Sequence, residues 1–326
     1  MTRGVMVDIA GAAMGGAARY AAELHDYLAR TGRKDIRVIG GGRRVDPAWL
    51  VRREISAPPA TRRVAVNNVS FVAPGGSRWV VLRNALHFLT DAEAEGLNPG
   101  LRALVQREAV IVRLAVRRAD VLVVPCTAMA ERVSRALPRA GSRIAVRAHP
   151  VSAARVIARP VPTMERDAAI LCPVLFAPYK RMDERIFELL SAVGHGGDNR
   201  VRIRVTASPE ELPAGLASDP RIEFLGRVGA QELREAWACT RAIYFPTGLE
   251  SFGYPLAEAR ASGYPIIARD TAQNREIAAT ALCGFQPGDP DSLRHAVKLA
   301  LTSDVRPDPA PFDPDAYFGW LLGSLR

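Results

Sequence analysis

The feature that most constrains the fold is a regular alternation of short apolar, β-branched runs with longer segments of helical periodicity. In the first half of the chain, strands are predicted at 5–10, 36–40, 79–84, 121–125 and 143–148, and helices at 18–30, at 102–118 and from Thr127 onward. Strands that alternate with helices form parallel sheets covered on both faces. The sequence therefore predicts an α/β fold.

A stretch without helical periodicity, residues 151–167, interrupts this alternation and predicts a linker. Beyond it, strands are predicted at 168–175, 200–207, 221–226, 242–246 and 265–269, and helices at 181–193, 230–240, 252–262 and 291–301. The 326 residues allow two domains. We expect the two domains at 1–155 and 156–310. Residues 311–326 are expected to form a closing helix, which could cross back to the N-terminal domain.

The charge distribution supports this division. Residues 1–150 hold 24 Lys and Arg against 12 Asp and Glu, whereas residues 151–326 hold 20 against 22. A basic half can face an anionic membrane or an anionic acceptor, although Arg as the general surface cation explains the bias equally well. No aromatic residues are interleaved with a basic run, so nucleic-acid binding is not expected. Four widely spaced cysteines predict buried, reduced thiols rather than a metal site.

Two carboxylates, Glu250 and Glu258, flank the point where a strand is predicted to give way to a helix. Pro255 suits the first turn of that helix, and free amides with the positive end of the helix dipole make such a turn a phosphate site in outline. Glu258 could accept hydrogen bonds from a vicinal diol, and Glu250 could face a group beyond the phosphates. On spacing alone, an acid favoured by the helix dipole and an ordinary loop acid remain the simpler explanation.

The sequence around these acids resembles a known signature. Residues 250–266 read E-S-F-G-Y-P-L-A-E-A-R-A-S-G-Y-P-I, which is similar to the E-x7-E motif of family 4 glycosyltransferases, E-G-F-G-x-P-x-x-E-A-x-A-x-G-x-P-V. Further resemblance to family segments is found at 14–24, 107–133, 177–186, 222–246 and 285–293. The resemblance extends over nearly the whole chain and is strongest at 220–290.

This resemblance implies a GT-B fold, in which two Rossmann-like domains face each other across a cleft. It also implies sugar transfer with retention and without a metal ion or other cofactor. By the same resemblance, Glu258 would bind the ribose of a nucleotide-sugar donor and Glu250 the hydroxyls of its sugar. The residues expected to contact the donor around the turn are Ser251, Phe252, Gly253 and Tyr254.

The resemblance assigns further roles to charged residues. Lys180 would neutralise the donor diphosphate as a point charge and stabilise the leaving group. Gly15, Gly16 and Arg19 would approach the phosphates from the N-terminal domain, and Arg227 is included among the donor-binding residues. His87 occupies a place where the family often has a histidine near the donor sugar, although an ordinary core histidine is an equal alternative.

One departure from the family pattern concerns the diphosphate. The family commonly carries G-R-x-x-x-x-K, and here Val174 and Leu175 stand where the Gly and Arg would be. One phosphate contact is therefore missing or is supplied by another residue, for which Arg181 is the candidate.

The sequence therefore predicts a retaining, metal-independent glycosyltransferase that uses a UDP-, GDP- or TDP-linked sugar and a small-molecule, glycan or lipid-linked acceptor. The protein is expected in the cytoplasm, either free or at the inner face of the membrane. Its expected role is in bacterial carbohydrate or natural-product biosynthesis. Two alternatives stay open. One is a nucleotide-sugar epimerase on the same fold, and the other is a catalytically silent donor-binding partner of a second transferase.

Overall fold

The computed structural model describes residues 4–56, 60–157, 160–173, 180–194 and 200–323. They divide into two compact units. The first unit comprises Met1–Pro150, Leu249–Gly253 and Phe312–Arg326, and the second comprises Val151–Gly248 and Tyr254–Pro311.

The first unit is built on a six-stranded sheet of order β2-β1-β3-β4-β5-β6, in which every pairing is parallel. Its strands are β1 (Val5–Asp8), β2 (Ile36–Ile39), β3 (Arg62–Ala65), β4 (Ser77–Val81), β5 (Val121–Val124) and β6 (Ile144–Val146). Its helices are α1 (Gly15–Thr31), α2 (Pro47–Ser56), α3 (Asp91–Glu95), α4 (Pro99–Val116), α5 (Thr127–Ala136) and α12 (Pro314–Leu322), with short 3-10 helices at Ala85–Phe88 and Pro138–Arg143.

Helix α12 completes the core of this first unit. Phe318 and Leu321 are fully buried against the apolar face of α1, and the Tyr20 hydroxyl donates to the Tyr317 hydroxyl at 3.1 Å. Arg62 of β3 donates to the carbonyl of Leu321 at 2.6 Å, which satisfies a carbonyl at the end of the helix. The last helix is therefore part of the core built by the N-terminal sheet.

A buried ion pair lies at the carboxyl end of β1. Arg53 of α2 donates to Asp8 Oδ2 at 2.7 Å, and both side chains are almost fully excluded from solvent. Asp8 also accepts hydrogen bonds from the Ala10 amide at 3.0 Å and from Asn67 Nδ2 at 2.8 Å. The network satisfies the buried carboxylate and fixes the chain where it leaves β1 toward the glycine-rich loop.

The second unit repeats the architecture with the strand order β12-β11-β10-β7-β8-β9, again parallel throughout. Its strands are β7 (Asp167–Cys172), β8 (Arg202–Val205), β9 (Ile222–Phe224), β10 (Thr240–Phe245), β11 (Ile266–Arg269) and β12 (Leu282–Phe285). Its helices are α6 (Met182–Gly194), α7 (Ala214–Ala217), α8 (Ala230–Ala238), α9 (Tyr254–Ser262), α10 (Ala272–Ala278) and α11 (Pro290–Thr302), with short 3-10 helices at Thr163–Glu165, Pro209–Glu211 and Ala279–Ala281.

The predicted α/β architecture with two parallel sheets is confirmed, but two strands and several helices were not anticipated. Strands β3 and β12 and helix α2 carry no long apolar run, and the sequence pattern did not reveal them. The cysteines differ from expectation at one position: Cys126, Cys172 and Cys283 are buried thiols, whereas Cys239 is exposed. Among the helices that the structure describes, none is long and apolar enough to cross a membrane.

Candidate functional site

The strand order of the second unit defines where a ligand can bind. From the central pair β7 and β10, the chain continues outward through β8 and β9 on one side and through β11 and β12 on the other. Parallel sheets bind ligands outside the carboxyl ends of their strands, at the point where the strand order reverses. Lys180, which follows β7, and Glu258, in the helix that follows β10, therefore belong to the candidate site of this unit.

The segment after β10 enters α9 later than the sequence predicted. The helix begins at Tyr254 rather than at Phe252, because Phe252 is buried with its ring 5.0 Å from the His149 ring. Gly253, at a φ of 84°, turns the chain between this anchor and the helix, a conformation that glycine adopts without strain. Pro255 is the second residue of α9, and Glu258 is the fifth and is half-buried.

Ser251 belongs to the first unit together with Glu250, Phe252 and Gly253. Its hydroxyl donates to the Arg83 carbonyl at 2.6 Å, and its own carbonyl accepts a weak hydrogen bond from Cys126 Sγ at 3.5 Å. Glu250 is half-buried beside it. The E-S-F-G stretch is therefore held by hydrogen bonds to residues of the first unit. The Ser251 hydroxyl donates its proton within the protein.

The glycine-rich loop of the first unit leads into α1. Gly15 has a φ of 57° and is the first residue of α1, and Gly16 is exposed beside it. Arg19 lies one turn further on, with its Nε 3.1 Å from Glu23 Oε1. The loop thus offers exposed backbone near a helix N-terminus, while the Arg19 guanidinium is engaged by a buried glutamate.

His87 is buried in the short helix that follows β4. Its Nε2 lies 3.3 Å from Asn84 Nδ2 and 3.4 Å from Glu108 Oε2, and its backbone carbonyl accepts from Arg113 Nε at 3.0 Å. Burial lowers the pKa of His87 and outweighs the opposing effect of Glu108. The imidazole is therefore a neutral group at pH 7, suited to hydrogen bonding rather than to charge neutralisation.

The basic residues predicted for the diphosphate have different surroundings in the second unit. Lys180 is half-buried and stands two residues before α6. Arg181 follows with a φ of 47°, and its Nε donates to Glu184 Oε1 at 2.6 Å. Arg227 is exposed and pairs with Glu211 at 2.8 Å. Val174 and Leu175, where the sequence departs from the family pattern, lie outside the described residues.

Two arginines near these segments escaped the sequence analysis. Arg83 donates through Nε to the Val66 carbonyl at 2.6 Å, and its Nη1 lies 3.5 Å from the Gly16 carbonyl, so it links the glycine-rich loop to the segment that holds Ser251. Arg269 ends β11 and donates to the Pro246 carbonyl at 2.8 Å. Neither occupies a motif position, so only the tertiary contacts identify them. Within the described ranges, no group of three His, Cys, Asp or Glu side chains could hold a metal ion.

Comparison with known proteins finds similar sequences and similar folds. Residues 176–303 match the family model described as glycosyl transferases group 1. A segment of 83 residues is 28% identical to O-antigen chain mannosyltransferase B of Escherichia coli, covering 26% of this chain and only 22% of that protein. The chain therefore aligns with about a fifth of the length of the curated relative that it matches.

Solved structures resemble the chain over nearly its whole length. A sucrose-phosphate synthase from Thermosynechococcus elongatus superposes with a TM-score of 0.62 at 14% identity, covering 99% of this chain and 95% of that one. WaaG, a glycosyltransferase involved in lipopolysaccharide biosynthesis, superposes with a TM-score of 0.64 at 15% identity, covering 92% and 90%. An α,α-trehalose 6-phosphate synthase from Burkholderia multivorans superposes with a TM-score of 0.60 at 14% identity. The match covers 97% of this chain and 94% of that one.

The chain therefore has the GT-B fold. Its segment 176–303 matches the model of the group 1 glycosyl transferases, which agrees with the resemblance found in the sequence.

Proposed function

We propose that this protein is a retaining glycosyltransferase that moves a sugar from a nucleotide-sugar donor to the hydroxyl of an acceptor. The observation that carries the proposal is the placement of Lys180 and Glu258 on the segments that follow β7 and β10, the two strands at the switch point of the second sheet. A cation for phosphates and a carboxylate for a diol, after two neighbouring strands at such a point, suit a nucleotide sugar.

The proposed roles follow from the chemistry of each side chain. Lys180 neutralises the diphosphate while the glycosidic bond breaks, and the positive end of the α9 dipole favours the same group. Glu258 accepts hydrogen bonds from the ribose hydroxyls, and Glu250 contacts the hydroxyls of the sugar. His87 donates or accepts a hydrogen bond as a neutral imidazole. In this scheme, no divalent ion and no other cofactor is required, so transfer survives EDTA.

The acceptor and the setting are part of the same proposal. The relatives include an O-antigen mannosyltransferase and a protein of lipopolysaccharide biosynthesis, which supports a glycan or lipid-linked acceptor at the cytoplasmic face of a membrane. The two rival functions differ in product. An epimerase releases no nucleoside diphosphate, and a silent partner binds the donor without turning it over.

Exchange of the two motif glutamates tests the assignment. We expect Glu258→Gln to weaken donor binding about tenfold or more, the scale of a hydrogen bond to a charged group, while Glu250→Gln mainly lowers the turnover number. Calorimetric titration and a nucleoside diphosphate release assay measure the two effects separately, with UDP-, GDP- and TDP-sugars as donors.

Glu210 is an exposed glutamate of the second unit, and Glu210→Gln is the control. It should leave donor affinity and turnover number unchanged. Wild-type affinity and turnover in both motif variants would refute the assignment. Release of no nucleoside diphosphate with any donor and acceptor would favour one of the rival functions.

The membrane part of the proposal rests on helix α4. Its buried face consists of Val105, Ala109, Val112 and Val116, which recur at helical spacing. On the opposite side, four large apolar side chains are exposed: Leu104, Val110, Ile111 and Leu114. Three exposed arginines accompany them: Arg107, Arg117 and Arg118. A helix with an apolar strip and basic flanks can lie in the interface of an anionic membrane.

We therefore expect the protein to sediment with vesicles that contain phosphatidylglycerol and to stay in solution with pure phosphatidylcholine vesicles. The paired change Ile111→Glu and Leu114→Glu should abolish binding to the anionic vesicles. Leu299→Glu on α11, an exposed apolar residue of the second unit, serves as the matched control. Equal binding by the α4 variant and the wild type would remove this helix from the proposal.

A further inference from the structure

Arg269 forms no ion pair with another described residue. It is the last residue of β11, and among the described residues its guanidinium forms one hydrogen bond, from Nε to the Pro246 carbonyl at 2.8 Å. No carboxylate of the described residues pairs with it, whereas most other half-buried arginines of this unit, such as Arg204 and Arg260, have one. Its two terminal nitrogens are therefore available to a ligand.

The position of the Arg269 guanidinium is set by its contact with Gly248. A Cβ built on Gly248 would lie 2.2 Å from Nη1 and 2.7 Å from the central carbon of the guanidinium, so the planar group packs directly on the glycine. Only glycine leaves this space. The guanidinium is thus held between the carbonyl of Pro246 and the backbone of Gly248, on the segment that follows β10.

A second arginine makes the region more positive. Arg185, in the first turns of α6, bonds to both carboxylate oxygens of Glu188 at 2.5 and 2.7 Å, and its buried Nε has no partner among the described residues. Burial, and after it the charge of Arg185, lowers the pKa of Arg269. The Glu188 carboxylate is bonded to Arg185 and acts on Arg269 only through its charge. Such an arrangement leaves a net positive charge near the amino end of α6, and an anion would stabilise it.

The location connects this charge with the candidate site. Strand β10 lies between β7, which leads to Lys180, and β11, which ends in Arg269. The arginine that the family motif carries is absent from the sequence, with Leu175 in its place. The other candidates for a replacement are bonded to glutamates within the protein, Arg181 to Glu184 and Arg19 to Glu23.

We propose that Arg269, positioned by Gly248, binds the diphosphate of the nucleotide-sugar donor and takes over the contact that the absent motif arginine would make. The inference rests on the proposed function and names one more residue of the same site. A guanidinium can present two parallel donors to a phosphate, so Arg269 and the point charge of Lys180 would neutralise the diphosphate together.

Calorimetric titration with UDP, GDP and TDP tests this contact, with the matching nucleoside as a probe that lacks phosphate. We expect Arg269→Gln to weaken binding of the matching diphosphate at least tenfold and to leave binding of the nucleoside unchanged. Arg202→Gln is the matched control, because Arg202 also donates to a proline carbonyl, that of Pro220, but lies at the amino end of its strand. The control should bind as the wild type does.

Gly248→Ala gives a second, independent test. The new methyl group would displace the flexible guanidinium at small cost in stability, so we expect weaker diphosphate binding and an almost unchanged melting temperature. In the Arg269→Gln background the same change should have little further effect, because the group that it displaces is already gone.

The outcomes are distinguishable. If the wild type binds a diphosphate and Arg269→Gln binds it equally well, the inference is wrong and the proposed function stands. If the wild type binds none of the three diphosphates, both are wrong. Equal losses for nucleoside and diphosphate would show that Arg269 supports the fold of the site rather than the phosphates, which also overturns the inference.

Discussion

Replacing Arg53 by Met should lower the free energy of unfolding by about 3–5 kcal/mol, the range measured when one partner of a buried ion pair is removed. Arg53 donates to Asp8 at 2.7 Å and also to the carbonyls of Val69 and Ser70, at 2.9 and 2.7 Å. Without it, a fully buried carboxylate loses its counter-charge and two buried carbonyls lose a donor. Urea-induced unfolding of the full chain, followed by circular dichroism, measures the change.

A matched control is present in the same unit. Arg30 forms a bidentate pair with Asp315, at 2.8 and 2.7 Å, but both side chains are more than half exposed. Arg30→Met should therefore cost no more than about 1 kcal/mol. Adding Asp8→Asn to Arg53→Met should recover part of the loss, because the uncompensated charge disappears. Equal costs for Arg53→Met and Arg30→Met would show that burial of the pair does not matter.

The second large effect concerns Lys180. We expect Lys180→Ala to weaken binding of the matching nucleoside diphosphate by at least about 2 kcal/mol, or roughly thirtyfold, because a charged ligand group loses its partner. Lysine occurs only three times in a chain with 44 Lys and Arg residues, at 34, 180 and 298. An ammonium retained at this position is a compact point charge, so Lys180→Arg should restore binding only in part.

Lys298→Ala is the control for this experiment. Lys298 is exposed on α11 of the same unit, and its loss removes the same formal charge from a helix that follows β12. In calorimetric titration, Lys298→Ala should bind the nucleoside diphosphate with the affinity of the wild type. Wild-type affinity in Lys180→Ala would mean that other groups, Arg269 among them, carry the diphosphate alone.

The sequence revealed the architecture because buried parallel strands leave continuous apolar runs. It missed β3 for a physical reason: its first two residues are Arg62 and Arg63, whose guanidinium groups bond to backbone carbonyls and, for Arg62, lie 4.1 Å from the centre of the Trp79 ring. A strand of this kind has no hydrophobic pattern to read. Strand β12 is short and contains Gly284, which sits close against Asp270.

The part of the candidate site that lies within a sequence motif was predictable. The motif located Glu250, Glu258 and the turn between them, but the start of the helix at Tyr254 depends on the burial of Phe252 against His149, about a hundred residues away in sequence. The same holds for Arg269, whose placement follows from contacts with Pro246 and Gly248. Long-range packing of this kind leaves no local pattern in a single sequence.

The packing of α12 has a consequence for how the protein is made. The first unit needs Tyr317, Phe318 and Leu321 to close its core, yet these residues leave the ribosome after the whole of the second unit. During synthesis, the second unit can therefore fold while the N-terminal sheet still exposes the apolar face of α1. Shortening the chain before α12 would leave an intact second unit attached to an N-terminal half with an open core, a species prone to aggregation and proteolysis.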